Sequence, residues 1–426
     1  MNNDDDAAAA AIGLNFTLEQ IVIESYRSKT AKDGSDTDIY DVKFFGIIPN
    51  LYLASCGHYI IFIYKVNTLT HTLDVKLSYC DQDENESFYC LEYSECNNTP
   101  LLLTAGKNGI IKGINCQSHE LEIILQGHGN AINDLRIHPV DDGLLLSASK
   151  DESIRLWNIR TSVCIAIFAG IAGHRDEVIS IDIHLEGNCF ISAGMDNTVK
   201  IWNLEDPHIS HAIDLSYTEP RRQNNLTFST LSHQWPIYST DLLHRDYVDC
   251  IRFVGNAILS KSTKNRIVLW LPDQLRFKGA PIILREYASN DCGNWFTRFG
   301  VCQELDIFAL GNTDGKVAIF SISGPASAMK TKPFVTTEYS ISNNDGRVTK
   351  KDDGKDTIGS KFINERFEST TVHRPQAILH GDENKKKGIT RQSTFDKSGT
   401  YLATANQDGT INLWLIDRAK LHSVSK

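Results

Sequence analysis

The chain has 426 residues, of which 41% are hydrophobic and 23% are charged, values that are ordinary for a soluble globular protein. The formal net charge of -10 argues against sequence-independent binding to DNA, because such binding depends on a large basic surface. It is compatible with a basic partner such as a histone tail, which an acidic surface would attract.

Ten cysteines lie at irregular spacings, and none forms a CxxC pair. A zinc ribbon or a thioredoxin-like motif is therefore unsupported, and we expect free thiols in a reducing compartment with no metal and no cofactor. The first residues, MNNDDDAAAA, lack the architecture of a secretory signal. Because no run of about 18 apolar residues occurs, we expect no membrane span.

The chain begins with an acidic and alanine-rich stretch, which we interpret as a partly disordered extension over residues 1–35. Residues 36–420 then contain an internal repeat. Its first two copies are weak: LASCGHYIIFIY ends at Tyr64, and LLLTAGKNGIIKGI ends at Ile114.

The next two copies define the repeat, over residues 127–159 and 173–204. Each has a Gly-His pair, an alternating strand, a second strand ending in Ser-x-x-x-Asp, and a Trp six residues after that Asp. This pattern is typical of a WD-repeat blade, in which four side chains link neighbouring strands by hydrogen bonds. The two predicted networks are His128, Ser147, Asp151 and Trp157, then His174, Ser192, Asp196 and Trp202.

A Ser-His-Asp catalytic triad is the competing interpretation of these residues. We favour the structural one, because the set is duplicated at blade spacing.

Three more copies follow. They end at Trp270, with Lys264 in place of the turn Asp, at Phe320 after Asp314, and at Trp414 after Asp408. Seven units predict an all-β, seven-bladed WD-repeat β-propeller. Its third strands should contain Tyr64, Ile114, Trp157, Trp202, Trp270, Phe320 and Trp414.

Two spacings exceed the repeat. A polar stretch separates Trp202 from Trp270, and a longer one, at about residues 325–387, has no period and is rich in charge, Gly and Ser. We interpret the longer stretch as a largely disordered surface insertion. Its lysine runs could touch nucleic acid, but a solvated loop is the simpler explanation.

The innermost strands align as IYDVKF, FYCLEY, INDLRI, VISIDI, VDCIRF, NWFTRF and TRQSTF. Their second positions hold Tyr40, Tyr89, Asn133, Ile179, Asp249, Trp295 and Arg391. Since blades six, seven, one and two are consecutive in a closed ring, the aromatic residues, with Phe296 beside Trp295, should converge with Arg391 at one sector of the channel rim. Such rings suit a quaternary ammonium, for example methylated lysine. Packing between blades is the alternative.

The stretches HGNAIN, SKDESIRLWNI, AGHRDEVIS, HRDYVDCIRF, AILSKSTKNRIVLW and WFTRFG together resemble the EED (extra sex combs) family. That family supplies the WD-repeat subunit of Polycomb repressive complex 2, a nuclear chromatin regulator that represses transcription. The resemblance is dense from about residue 81 to 320, returns at ITRQSTF, is weaker at the N-terminus and is absent from the long insertion.

The resemblance implies a protein that is not an enzyme. One face would bind trimethyllysine of a repressive histone tail in a cage of Tyr40, Tyr89, Trp295 and Phe296, with Arg391 and Arg298 near the pocket. The opposite face would bind an N-terminal helix of the histone methyltransferase, which the methyl mark then stimulates. Other Polycomb subunits would also bind. The chain departs from some members, which have Phe at the position of Tyr40 and Tyr at that of Phe296.

Two other function classes stay open at this point. A generic WD scaffold, such as a ubiquitin-ligase substrate receptor or a signalling adaptor, would have the same blades. A propeller hydrolase would need convergent carboxylates or a metal in the channel, and the second positions offer only Asp249 as an acid.

Overall fold

The computed structural model describes residues 14–23, 38–47, 49–218, 228–273, 279–289, 291–322, 340–341, 348–349, 372–381 and 388–417. Strands make up most of the secondary structure in these ranges, which confirms the predicted all-β class. No helix among them is long and apolar enough to span a membrane.

Seven sheets, each with four antiparallel strands, form the blades of a propeller, as predicted. Blade one contains β2 (Asp41–Ile47), β3 (Asn50–Gly57), β4 (Ile60–Asn67) and β5 (Thr72–Cys80), and blade two contains β6 (Phe88–Ser94), β7 (Leu101–Gly106), β8 (Ile110–Asn115) and β9 (Leu121–Gln126). Blade three contains β10 (Ile132–Ile137), β11 (Leu144–Ser149), β12 (Ile154–Asn158) and β13 (Val163–Phe168). Blade four contains β14 (Val178–Ile183), β15 (Cys189–Gly194), β16 (Val199–Asn203) and β18 (Tyr238–Thr240).

Blade five again uses four consecutive strands, whereas blades six and seven each take an outer strand that is distant in sequence. Blade five contains β19 (Val248–Val254), β20 (Ala257–Ser262), β21 (Arg266–Leu271) and β22 (Ile282–Ala288). Blade six contains β23 (Phe299–Cys302), β24 (Ile307–Gly311), β25 (Lys316–Ser321) and β29 (Ala377–His380). Blade seven contains β30 (Thr390–Phe395), β31 (Tyr401–Asn406), β32 (Thr410–Asp417) and β1 (Asn15–Ile23). All seven predicted anchor residues lie in the third strands of their blades.

Short elements complete the described chain. β17 (Leu231–His233) and β28 (Val372–His373) add parallel strands to blades three and five, and β26 (Ser340–Ile341) pairs with β27 (Val348–Thr349). Helix α1 (Pro207–Thr218) follows β16, between Trp202 and Trp270, where the sequence pattern indicated only a polar stretch. It packs against blade three, where Asn158 Nδ2 donates to Ser216 Oγ at 2.9 Å.

The ring closes through β1, which pairs antiparallel with β32 over Asn15–Ile23 and Thr410–Asp417. The prediction that residues 1–35 lie outside the propeller is therefore wrong for this strand. Sequence pattern missed it because NFTLEQIVI has no blade motif of its own and becomes the outer strand of a blade made by the other end of the chain. Residues 1–13 and 24–35 lie outside the described part.

The predicted insertion at about 325–387 also ends too late. Ala377–His380 is the outer strand of blade six, paired with β25, and Val372–His373 joins blade five. These segments carry too few residues for a visible period, so their partners rather than their own sequence make them strands. Apart from these strands and β26 and β27, most of the insertion lies outside the described residues.

The two predicted networks are formed within blades three and four. His128 Nδ1 lies 2.8 Å from Asp151, its Nε2 lies 2.7 Å from Ser147 Oγ, and Trp157 Nε1 donates to that oxygen at 2.8 Å. The His174 network has the same connections at 2.8 to 3.1 Å, with its carboxylate at Asp196, its hydroxyl at Ser192 and its indole at Trp202. Both serines are fully buried, so no substrate reaches them, which supports the structural interpretation over a catalytic triad.

The acid–base pairs in these networks stabilise the fold. Burial alone would raise the pKa of Asp151, but the hydrogen bond and charge of His128 outweigh it and hold this pKa far below its usual range. The pKa of Asp196 is lowered in the same way by His174. Stability from a carboxylate with a lowered pKa is present above its ordinary pKa and is lost as pH falls.

Blade five lacks the acid. His244 Nε2 lies 2.7 Å from Ser260 Oγ, and Trp270 Nε1 donates to the same oxygen at 3.1 Å, while Lys264 pairs with Asp246 on the surface. Burial, with the nearby charges of Arg266 and Lys261, lowers the pKa of His244 to about 3.

We expect His244 to make the folded protein sensitive to acid. Between the ordinary pKa of 6.5 and about 3, the unfolded chain binds a proton here and the folded chain does not. As pH is lowered through this range, the free energy of unfolding should decrease more steeply in the wild type than in His244→Gln. The difference between the two slopes should be about 1.4 kcal/mol per pH unit. Urea unfolding of both proteins from pH 7 to pH 4 measures this, and equal slopes would contradict it.

Candidate functional site

The inner strands are bulged where they begin at the channel mouth. The register of five of them skips one residue, which leaves that residue unpaired and turns its side chain out of the ladder. The skipped residues are those at the second aligned position: Tyr89, Asn133, Ile179, Asp249 and Arg391. Blade one is similar, because Cys56 pairs with Asp41 and also accepts the Tyr40 N–H at 2.9 Å. The bulges release these side chains from the strand pairing, and of them Tyr40 and Tyr89 are partly exposed whereas Ile179 and Asp249 are fully buried.

Blade six departs from the predicted alignment. Its inner strand begins at Phe299, which pairs with Leu310, as Leu135 pairs with Ser147 in blade three. NWFTRF was therefore aligned two residues too early, and Thr297, not Trp295, takes the second position. The aromatic pair resembled a strand start but lies in a turn, where Phe296 has a left-handed φ of 66°.

The turn nevertheless brings Phe296 to the rings of blades one and two. Ring centroids of Tyr40 and Tyr89 are 5.0 Å apart, those of Tyr40 and Phe296 5.8 Å, and those of Tyr89 and Phe296 6.0 Å. The interplanar angles are 71°, 90° and 67°, so the three rings meet edge to face. We call these three residues and Trp295 the aromatic cluster.

Trp295 has a different position in the cluster. Its ring centroid is 5.6 Å from that of Phe296, yet 47% of Trp295 is exposed, against 3% of Phe296. Phe296 is thus part of the packed interior, and Trp295 forms an exposed lip beside it.

Arg391 flanks the cluster on the blade-seven side. Its guanidinium carbon lies 5.6 Å from the Tyr40 ring centroid, and Nη2 is 3.0 Å from Asp38 Oδ2. Burial raises the pKa of Asp38, although Arg391 opposes this shift. The positive charge next to Tyr40 is therefore paired with an acidic group.

Arg298 lies beneath the cluster and crosses the channel. Its Nη2 donates to the carbonyl oxygens of Asn133 at 2.7 Å and Ile179 at 2.9 Å, which belong to blades three and four. Its guanidinium carbon is 4.3 Å from the Phe296 ring centroid, and only 1% of the residue is exposed. Arg298 supports the buried side of Phe296 and is not at the open mouth.

Buried charges continue below Arg298. Asp134 lies within 3.7 Å of Arg136, Arg252 and Arg298, and these charges lower its pKa although burial would raise it. Glu92 and Asp182 also lie within 3.6 Å of Arg136. Sequence reasoning missed this network, but the charges at third and fifth positions of the inner strands, such as Asp134 and Arg136 in INDLRI, were a usable signal.

The carboxylate that the sequence offered to a propeller hydrolase is already paired with a buried cation. Asp249, the only acid at the second positions, makes a buried ion pair with Lys261. Within the described ranges no group of three or more His, Cys, Asp or Glu side chains is placed to hold a metal ion.

Comparison with known proteins identifies the repeat and the family. The model of the WD domain, G-beta repeat, matches residues 119–158, 162–203 and 374–414. Polycomb protein esc of Musca domestica is 36% identical over 361 residues, which cover 82% of this chain and 74% of that protein. This chain belongs to the EED (extra sex combs) family. Polycomb protein esc of Drosophila virilis is 43% identical over 265 residues, covering 59% of this chain.

The match to the Drosophila virilis protein spans 62% of its length, less than two thirds. Among solved structures, a chain of the Chaetomium thermophilum polycomb repressive complex 2 superposes with a TM-score of 0.71 at 19% identity, over 94% of this chain and 98% of that one. A chain from ctPRC2 in complex with H3K27me3 and H3K27M gives the same values. At this identity the likeness shows the fold alone, which agrees with the seven blades.

We expect Arg298→Met to destabilise the protein by about 3 kcal/mol or more, because it leaves two buried carbonyl oxygens without their donor and removes one of the three cations around Asp134. Lys264→Met is the control. Its side chain is 73% exposed in a surface pair, so its effect should stay within about 0.5 kcal/mol. Denaturant unfolding measures both, and equal effects would show that the channel contacts of Arg298 do not stabilise the fold.

Proposed function

We propose that this chain is a non-catalytic chromatin-binding and scaffold subunit of a Polycomb-type histone methyltransferase complex in the nucleus. The aromatic cluster binds trimethyllysine of a repressive histone tail. The opposite face binds an N-terminal helix of the methyltransferase, and the bound tail stimulates that enzyme. Membership of the family and the Polycomb complexes among the structural neighbours support this assignment.

The observation that carries the proposal is the meeting of Tyr40, Tyr89 and Phe296 from three blades at one mouth of the channel. Because no two of their centroids are more than 6.0 Å apart, one cation above them can lie within the roughly 6 Å range of a cation–π contact with all three. Trp295 is exposed beside this position and can cover a methylated ammonium from the side.

The chemistry of the cluster favours a methylated over an unmethylated lysine. Ring faces attract a cation without accepting its hydrogen bonds as a carboxylate would, so an unmethylated ammonium loses hydration that the ring faces do not replace. A quaternary ammonium has no N–H groups to satisfy and gains apolar contact from its methyl groups. The net charge of -10 also favours the approach of a basic tail.

We expect an H3K27me3 peptide to bind the full chain and the unmethylated peptide of the same sequence to bind at least about tenfold more weakly. Trp295→Ala should weaken binding of the methylated peptide by about tenfold or more while the thermal unfolding midpoint stays unchanged. Isothermal titration measures the peptide affinities, and a thermal unfolding scan measures the midpoint. Trp235→Ala is the matched control, since Trp235 is a second tryptophan, 61% exposed, outside the cluster.

Equal affinity for the two peptides, or equal losses in Trp295→Ala and Trp235→Ala, would remove the cluster as a methyl-lysine site. A generic scaffold would then be the better assignment. Partners that co-purify from native cells distinguish the two: a methyltransferase and histones favour our proposal, and ubiquitin-ligase subunits favour the alternative.

Stimulation requires a separate measurement. We expect a complex reconstituted from this chain and its methyltransferase to methylate nucleosomes faster when the methylated peptide is added, and not when the unmethylated peptide is added. If the rates are the same, the chain is a scaffold that binds the mark without coupling it to catalysis.

A further inference from the structure

Asp41 follows Tyr40 at the start of the inner strand of blade one and joins three blades. Its Oδ2 accepts the Leu91 N–H of blade two at 2.9 Å, and its Oδ1 accepts a hydrogen bond from Gln392 Nε2 of blade seven at 2.9 Å. Only 3% of Asp41 is exposed. One buried carboxylate therefore connects the inner strands β30, β2 and β6.

Part of this arrangement recurs around the ring. Asp134 has the same aligned position in blade three and accepts the Ile181 N–H of blade four at 3.0 Å. Ser180 has that position in blade four and accepts the Ile251 N–H of blade five at 3.2 Å. The third aligned position is thus a link from one blade to the next, and at Asp41 the link also reaches back to the preceding blade.

Such links matter at the aromatic cluster because the blades are separate sheets. Backbone pairing holds each strand within its own blade, and the bulges leave Tyr89 and Arg391 outside even that pairing. The spacing of rings that belong to different blades is therefore set by contacts between the blades.

Tyr89 is held against blade one on both sides of its bulge. One residue earlier, the Phe88 N–H donates to the His58 carbonyl oxygen of blade one at 2.8 Å. Two residues later, the Leu91 N–H donates to Asp41. The first bond joins two backbone groups, whereas the second depends on a side chain. A substitution at Asp41 can therefore release one side of Tyr89 and leave every ring of the cluster in the sequence.

The link to blade seven lies beside Arg391. The glutamine that donates to Asp41 directly follows Arg391, whose guanidinium carbon is 5.6 Å from the Tyr40 ring centroid. The Arg391 carbonyl oxygen accepts the Arg298 N–H at 2.7 Å, which ties blade seven to the turn that carries Phe296. Asp41 thus completes a series of bonds from that turn through blades seven and one to blade two.

We propose that Asp41 is a positioning residue for the aromatic cluster. By accepting hydrogen bonds from blades two and seven, it sets the distance between the Tyr40 and Tyr89 rings, whose centroids are 5.0 Å apart. A cage for one ammonium depends on this spacing, because a cation–π contact requires each centroid to lie within roughly 6 Å of the charge. The effect on ligand affinity rests on the proposed function, whereas the effect on the rings does not.

Two substitutions separate the hydrogen bonds from the charge. Asp41→Ala removes both acceptor oxygens. Asp41→Asn removes the charge but keeps one oxygen for the Leu91 N–H, and its amide can donate to Gln392 if that side chain flips. The flip uses Gln392 Oε1, a buried atom that has no hydrogen-bond partner among the described residues.

His184→Ala is the control for a general loss of stability. His184 Nε2 lies 3.0 Å from Asn256 Oδ1, and this contact joins blades four and five at the other end of their inner strands. The substitution therefore breaks a buried bond between blades that is remote from the cluster.

We expect Asp41→Ala to bind the H3K27me3 peptide about tenfold more weakly or more, and Asp41→Asn to stay within about threefold of the wild type. In crystal structures without peptide, the Tyr40 and Tyr89 rings should move relative to each other by about 1 Å or more in Asp41→Ala and by less than about 0.5 Å in Asp41→Asn. His184→Ala should lower the thermal unfolding midpoint and change neither the affinity nor the rings.

Equal losses of affinity in the two Asp41 variants would overturn the proposal, and so would a loss in His184→Ala as large as that in Asp41→Ala. Rings that stay in place in Asp41→Ala would overturn it as well. If the rings move as expected but the wild type does not bind the peptide, Asp41 positions the rings and the proposed function fails.

If Asp41→Ala does not fold, Gln392→Leu takes its place, because it removes the link to blade seven and keeps the bond to Leu91. We then expect binding to be weaker by about threefold or more, with the Tyr40 ring displaced from Arg391. A folded Gln392→Leu protein in which neither quantity changes overturns the proposal.

Discussion

Closure of the ring is the constraint on which the site depends. A strand near the start of the chain, β1, completes the sheet made by β30 to β32 near its end. Blade one then lies beside blade seven, and their inner strands β2 and β30 are in contact. Only this pairing allows Tyr40 and Tyr89 to meet Phe296, more than 200 residues later. The aromatic cluster is therefore a property of the closed propeller and not of any blade.

The channel below the cluster is filled by charges rather than by apolar side chains. Arg298 connects the turn of blade six to carbonyl oxygens of blades three and four, on the opposite side of the ring. Gln392 of blade seven donates to Asp41 of blade one at 2.9 Å, and Asp41 accepts the Leu91 N–H of blade two at 2.9 Å. Because buried polar groups tolerate few alternative arrangements, these bonds fix how adjacent blades sit against each other.

Sequence pattern predicted the blades well because the repeat is local. Serine, aspartate and tryptophan at fixed offsets bond within one blade, so Trp157 and Trp202 mark third strands directly. Outer strands were missed where partner and strand are far apart, as with Asn15–Ile23 and Ala377–His380. The rings of the cluster were also predicted, but for blade six by a faulty alignment. Neither the left-handed turn at Phe296 nor the reach of Arg298 across the channel has a sequence signal, since both depend on neighbouring blades.

Each cation–π contact contributes only about 0.5 to 2 kcal/mol, so a cluster of rings gains affinity chiefly by being ordered before the ligand arrives. Phe296 meets this requirement: it is buried, its φ is left-handed, its ring packs on the Arg298 guanidinium, and the Arg298 amide donates to the Arg391 carbonyl oxygen. The cost of its conformation is offset during folding, not during binding. Trp295, half exposed and in contact with Phe296, is the ring of the cluster that packing constrains least. Ring closure, the turn of blade six and Arg298 together therefore produce a buried aromatic floor beside an exposed tryptophan at this end of the propeller.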